Sequence, residues 1–119
     1  MSTPTGLRDL LRLELTNAVR ARDRTVAAAV RSALGALDNA EAVPVPEPTG
    51  GVVGVGGSEV PRRELDAEEE RRVVAAELAE LEAAATTFAG LGLSDRVAEA
   101  HRGADVLRAV LLAVGYSDS

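Results

Sequence analysis

The chain has no cysteine, no lysine and no tryptophan, and Phe88 and Tyr116 are its only aromatic residues. Without cysteine there can be no disulfide, no thiolate metal site and no cysteine nucleophile. Two aromatics make no platform on which successive bases could stack. Long apolar runs are missing too: nothing approaches the roughly eighteen residues that a membrane-spanning helix needs. Arg8, Asp9, Arg12 and Glu14 break up the opening segment, so it does not read as a signal peptide. A soluble, cytoplasmic protein with no membrane contact is the expectation. Because arginine does all the work that lysine usually shares on a solvated surface, its abundance alone is not a sign of phosphate binding.

The chain does have alanine, which occurs 22 times in 119 residues. Each buried methylene is worth roughly 0.8 kcal/mol, so an alanine-rich core stabilises less per residue than a leucine-rich one and must be packed closely. Alanine compensates as the best helix former, since it loses no side-chain entropy. The net charge is −6 and is unevenly spread. Residues 1–40 carry six arginines against four acids, for a net of +2, and residues 41–119 carry seven arginines against fifteen acids, for −8.

Apolar spacing predicts an all-α fold of four main helices in two antiparallel hairpins, joined by a proline- and glycine-rich loop. Thr3 and Pro4 offer an N-cap and a first helical residue, and Leu7, Leu11, Leu15, Ala18 and Val19 recur at helical spacing until about Arg22. Asp23 can cap a second helix lined by Val26, Val30, Ala33, Leu34 and Leu37, ending at Asn39, Ala40 and the prolines. Residues 42–64 read as a flexible connector, since proline removes backbone donors and ordered glycine is entropically costly. Asp66 and Glu69 have capping-box spacing ahead of a third helix carrying Val74, Leu78, Leu81, Ala85 and Phe88. Gly90 and Gly92 end it. Ser94 is the expected cap of a fourth helix bearing Val97, Ala100, Ala104, Leu107, Leu111 and Val114, with Gly115 as its left-handed stop. The hairpins should pack on one another as a single small domain over 1–119. A two-stranded antiparallel coiled coil over residues 65–114 is the competing arrangement.

Chemistry is sparse. The connector glycines lack the Gly-Lys-Ser/Thr ending of a phosphate loop. His101 has no companions at metal-ligand spacing, and Glu68, Glu69 and Glu70 suit a helix dipole better than a metal, so no metal or cofactor is expected. No serine, histidine and acid set points to nucleophilic catalysis, and the chain reads as non-catalytic on its own. The one cluster of interest is Arg20, Arg22 and Arg24 around the first turn, with Arg31 two helical turns on. Their fork-shaped guanidiniums suit a phosphate backbone or an acidic protein, and also an ordinary salt-bridged surface.

The run Leu7, Leu11, Ala18, Arg22-Asp23, Arg31, Leu34 and Asn39-Ala40-Glu41 resembles the opening helices of the GatB/YqeY family. Val60-Pro61-Arg62-Arg63-Glu64-Leu65, then Phe88, a glycine-bearing turn and Asp95-Arg96-Val97-Ala98-Glu99, resemble its third and fourth helices. The proline- and glycine-rich connector is similar to an insertion in actinobacterial members. The resemblance implies a helical fold related to the tail domain of the B subunit of tRNA-dependent amidotransferases, a tail associated with tRNA recognition. It also implies an inherited label of carbon-nitrogen ligase with glutamine as amido donor, which a shared fold does not turn into an activity. Longer members continue into a second small helical subdomain that this sequence appears without. The expected function is therefore a helical binding module contacting tRNA or an amidotransferase-related partner through Arg20, Arg22, Arg24 and Arg31. The alternative is a protein-interaction or self-association module that works through the third and fourth helices.

Overall fold

A computed structural model of the chain describes residues 6–42 and 63–115. Over these the protein is four helices: α1 (Leu7–Arg20), α2 (Arg24–Glu41), α3 (Ala67–Gly90) and α4 (Ser94–Ala113). They form two antiparallel hairpins, α1–α2 and α3–α4. The hairpins pack together, with α2 against both α3 and α4, so a lone coiled coil of the second half is not what the chain adopts. The connector expected over 42–64 contributes only Ala42, Arg63 and Glu64 to the described residues. Its two ends meet: the Arg63 amide donates to the Glu41 carbonyl at 2.7 Å.

α2 and α4 form the centre. α2 buries Val26, Ala27, Ala29, Val30, Ala33 and Leu37, and α4 buries Ala100, Gly103, Ala104, Leu107, Val110 and Leu111. α1 lies on α2 through Leu7, Leu11 and Ala18, whereas α3, the longest helix, fully buries only Val74 and Ala85. Small residues set the spacing. A Cβ placed on Gly103 would sit 3.0 Å from the Ala29 Cβ and 3.4 Å from a Leu81 methyl, so α2 and α4 approach as closely as their side chains allow. That closeness is how an alanine-rich chain closes its interior around Leu11, Leu37, Leu107 and Leu111, the largest fully buried side chains.

Ion pairs fasten the two ends. At the pole away from the hairpin turns, Arg8 of α1 reaches Asp38 (3.2 Å) and Glu41 (2.9 Å) of α2 and Glu70 (3.3 Å) of α3. Midway, Ser32 Oγ donates to Glu77 Oε1 at 2.7 Å, tying α2 to α3. At the turn pole, Arg102 of α4 pairs with Asp23 at the head of α2, and further from that pole Arg108 pairs with Glu82 across the α3–α4 hairpin.

Both hairpin turns have the same backbone design. α1 closes with the Arg22 amide on the Val19 carbonyl (3.1 Å) and the Asp23 amide on the Ala18 carbonyl (2.8 Å). α3 closes with the Gly92 amide on Ala89 (3.1 Å) and the Leu93 amide on Phe88 (3.0 Å). Each is a Schellman motif whose left-handed residue is Arg22 (φ 59) in the first turn and Gly92 (φ 74) in the second. The residue after it ends one helix and caps the next. Asp23 does this with its side chain, accepting from the Val26 amide at 3.1 Å. Leu93 occupies the same place with no side-chain bond, and Ser94, expected as the cap, is already the first residue of α4. The turn is one residue too tight for Ser94 to cap.

Other ends differ from expectation as well. α1 starts after Gly6, an extended residue (φ −83, ψ 157), and Thr3 and Pro4 lie outside the described residues. Asn39 and Ala40 do not stop α2, which runs through them to Glu41. The Asp66–Glu69 capping box forms in full, at 2.7 and 3.1 Å, and Gly115 (φ 84) follows α4 as its left-handed stop.

Candidate functional site

The first turn places three of the four candidate arginines around one hollow. Arg24 and Arg31 are seven residues apart on α2, two turns along one face, and Arg22 projects from the left-handed position of the turn. With Asp23 they rim a shallow, open concavity of about 480 Å³ whose apolar floor is Ala18, Val19 and Ala27. Arg20, in the last turn of α1, is exposed beside the hollow and does not line it.

These arginines differ from the others in how little holds them. Arg8, Arg12, Arg63, Arg72, Arg102 and Arg108 each pair with a carboxylate within 4.0 Å. Among the described residues Arg20, Arg22, Arg24, Arg31, Arg71 and Arg96 do not. Four of these six are at the first turn. An exposed ion pair is weak, but a cluster of cations with no pair keeps its field and its donors for something outside the chain.

Asp23 is the one acid at the hollow, and it is already engaged. The Val26 amide, and after it the Arg102 guanidinium, hold its carboxyl below the ordinary aspartate value against the opposing effect of burial. It therefore stays ionised near neutrality, fixing the start of α2 and the side of α4. The hollow offers charge, hydrogen-bond forks and a small apolar floor. Its lining groups can hold an anion but include no nucleophile with a base beside it. Among the described residues no cluster of three metal-ligating side chains exists, and no helix is long and apolar enough to cross a membrane.

Two features had no clear sequence signal. Arg8 sits between Leu7 and Leu11 like any surface residue of an amphipathic helix; only the folded chain brings it to three acids on two other helices. The Arg102–Asp23 pair joins residues 79 apart and tells which side of the second hairpin faces the turn. His101, next to it, lines a separate hollow of about 450 Å³ at the second turn with Leu93 and Val97. No protein-family model, curated protein or solved structure matches this chain.

Proposed function

We propose that this protein is a non-catalytic helical binding module that takes up the anionic groups of a partner at its first hairpin turn. One observation carries the reading: the arginines that no carboxylate of the described residues engages are gathered mainly there, as Arg20, Arg22, Arg24 and Arg31. The rigid α1–α2 and α3–α4 hairpins hold the turn in place, and the Asp23–Arg102 pair fixes its pitch against α4. In the form suggested by the GatB/YqeY resemblance, the anionic groups are tRNA phosphates. In the form suggested by the net charge of −6, they are carboxylates of a protein, since the acidic second half repels a long polyanion.

Binding of the purified protein to bulk tRNA and to polyglutamate, each at two salt concentrations, tests the module. Salt-sensitive binding to at least one is expected, with affinity lost when Arg20, Arg22 and Arg24 are changed together to Gln. For tRNA the salt slope should fall by roughly one for each phosphate contact removed. Binding to neither at low salt would overturn the reading. A second reading, self-association through α3 and α4, rests on Leu91 and Leu112, which are 66% and 65% exposed. A mass that rises with protein concentration would favour it.

A further inference from the structure

We infer that the exposed face of α2 pairs with the same face of a second copy of this chain about a two-fold axis beside Gly35, so that Arg31 of each copy meets Asp38 of the other. This names the source of carboxylates for the site proposed above and rests on that reading.

α2 touches all three other helices and keeps one side free. Its exposed residues are Arg24, Ala28, Arg31, Ser32, Asp38 and Asn39, whose spacings of four, seven and eight place them on a single face. α1 bounds this face at the arginine hollow, and α3 bounds it where Ser32 donates to Glu77. Gly35 lies in the middle. Gly35 and Gly103 both sit well inside helices, where glycine is a poor helix former, but only one of them is used by the fold. A Cβ on Gly103 would press on Ala29 at 3.0 Å, whereas a Cβ on Gly35 would meet nothing within 4 Å. No contact within the described residues requires the bare backbone at Gly35, and a bare backbone is what lets a second helix cross closely.

The charges on this face say which helix that is. Arg31 has no carboxylate partner among the described residues, and Asp38, though it touches Arg8 at 3.2 Å, keeps a side chain that is 63% exposed. The two stand seven residues apart, about 10 Å along the helix, and their midpoint falls beside Gly35. A two-fold axis through that point runs the two α2 helices antiparallel and sets each Arg31 level with Asp38 of the other copy. The face is thus its own electrostatic complement, with the glycine where the helices cross. Other occupants satisfy only half of it. An acidic peptide or an RNA strand would suit Arg24 and Arg31 but would set like charge against Asp38. Pairing around one helix crossing is a small interface between chains of net charge −6, so it should be weak, micromolar and sensitive to salt.

Sedimentation velocity of the full chain over micromolar concentrations, at low and high salt, tests the pairing. We expect a mass that rises toward a dimer with concentration at low salt and falls back at high salt. Gly35→Gln should weaken pairing at least about tenfold while raising the melting temperature of the dilute protein by about 5 °C, since glutamine is the better helix former and its Cβ meets no atom of its own chain. A residue serving the fold alone would not move the two readouts in opposite directions. Arg31→Glu and Asp38→Arg should each weaken pairing about tenfold, with helix content by circular dichroism retained. An equal mixture of these two proteins should regain it, because every facing pair in the mixed dimer is again of opposite sign. No recovery in the mixture would overturn the inference. So would pairing that Gly35→Gln leaves unchanged and the double substitution Leu91→Ser, Leu112→Ser abolishes. A monomer at every concentration that still binds polyglutamate or tRNA would overturn the inference and leave the module standing. A monomer that binds neither would overturn both.

Discussion

The two hairpin turns share a backbone and differ in the three residues that make them. Ala21-Arg22-Asp23 and Leu91-Gly92-Leu93 use the same pair of hydrogen bonds, the same left-handed middle residue and the same double-duty third residue. The second turn is made for ease: glycine takes the left-handed position, and no side chain is needed to cap α4. The first turn puts arginine where glycine is cheapest, at a cost of roughly 1–2 kcal/mol, and offsets it with an aspartate cap and an ion pair to α4. Of the three left-handed helix stops among the described residues, at Arg22, Gly92 and Gly115, only the first carries a side chain, and it is a cation at the rim of the hollow. Left-handed strain and unengaged charge thus coincide at the first turn and not at the second.

Substitutions can sharpen or break the comparison. The largest effect should come from the cap. Asp23→Ala removes the bond to the Val26 amide and the partner of Arg102, and should lower stability by about 1–2 kcal/mol, whereas Leu93→Ala should stay within about 0.5 kcal/mol. Urea unfolding of the two variants measures the difference, and equal losses would mean that the turns are held alike. Next comes the left-handed residue. Gly92→Ala meets no atom within 4 Å, so its cost is conformational, about 1 kcal/mol. Arg22→Gly should gain somewhat less, about 0.5 kcal/mol, because relief of strain is partly cancelled by the freer unfolded chain. If the turn is the binding surface, the same Arg22→Gly protein binds anions more weakly while melting higher.

The smallest effect is on pH. Asp23 titrates below its ordinary value of 3.8 in the folded chain, so its contribution is fully present above that value and is lost as pH falls through the lowered one. The second turn has no titrating cap. Protection of the amides at the start of α2, taken relative to their intrinsic exchange rates, should therefore fall in acid before that at the start of α4, and a simultaneous fall would remove Asp23 as the cause.

The helices were legible in the sequence because local signals decide them. The Asp66–Glu69 box, the Asp23 cap and the Gly115 stop act within four residues, and each is where its spacing puts it. The pairing of the hairpins followed from stripes too apolar to leave bare. What could not be read depends on how the helices meet. Ser94 is a good cap residue by type, yet the tight turn assigns the cap to Leu93. Arg22 carries no mark of a left-handed conformation, which two backbone hydrogen bonds impose on it. The four candidate arginines were picked for proximity in sequence. That three share a hollow, and that none of the four meets a carboxylate among the described residues, depends on the folded chain, which engages Arg8, Arg102 and Arg108 in the helix contacts.

The hydrogen bond from the Arg63 amide to the Glu41 carbonyl has a consequence for how the halves belong together. Glu41 and Arg63 stand side by side at the edges of the two described halves, and contacts between α2 and the second hairpin hold those halves in place. A polypeptide broken there would yield a nearly neutral fragment carrying the arginine turn and a strongly acidic one carrying α3 and α4. Each fragment would present to the other the alanine-lined surface it now buries, as a complementation pair.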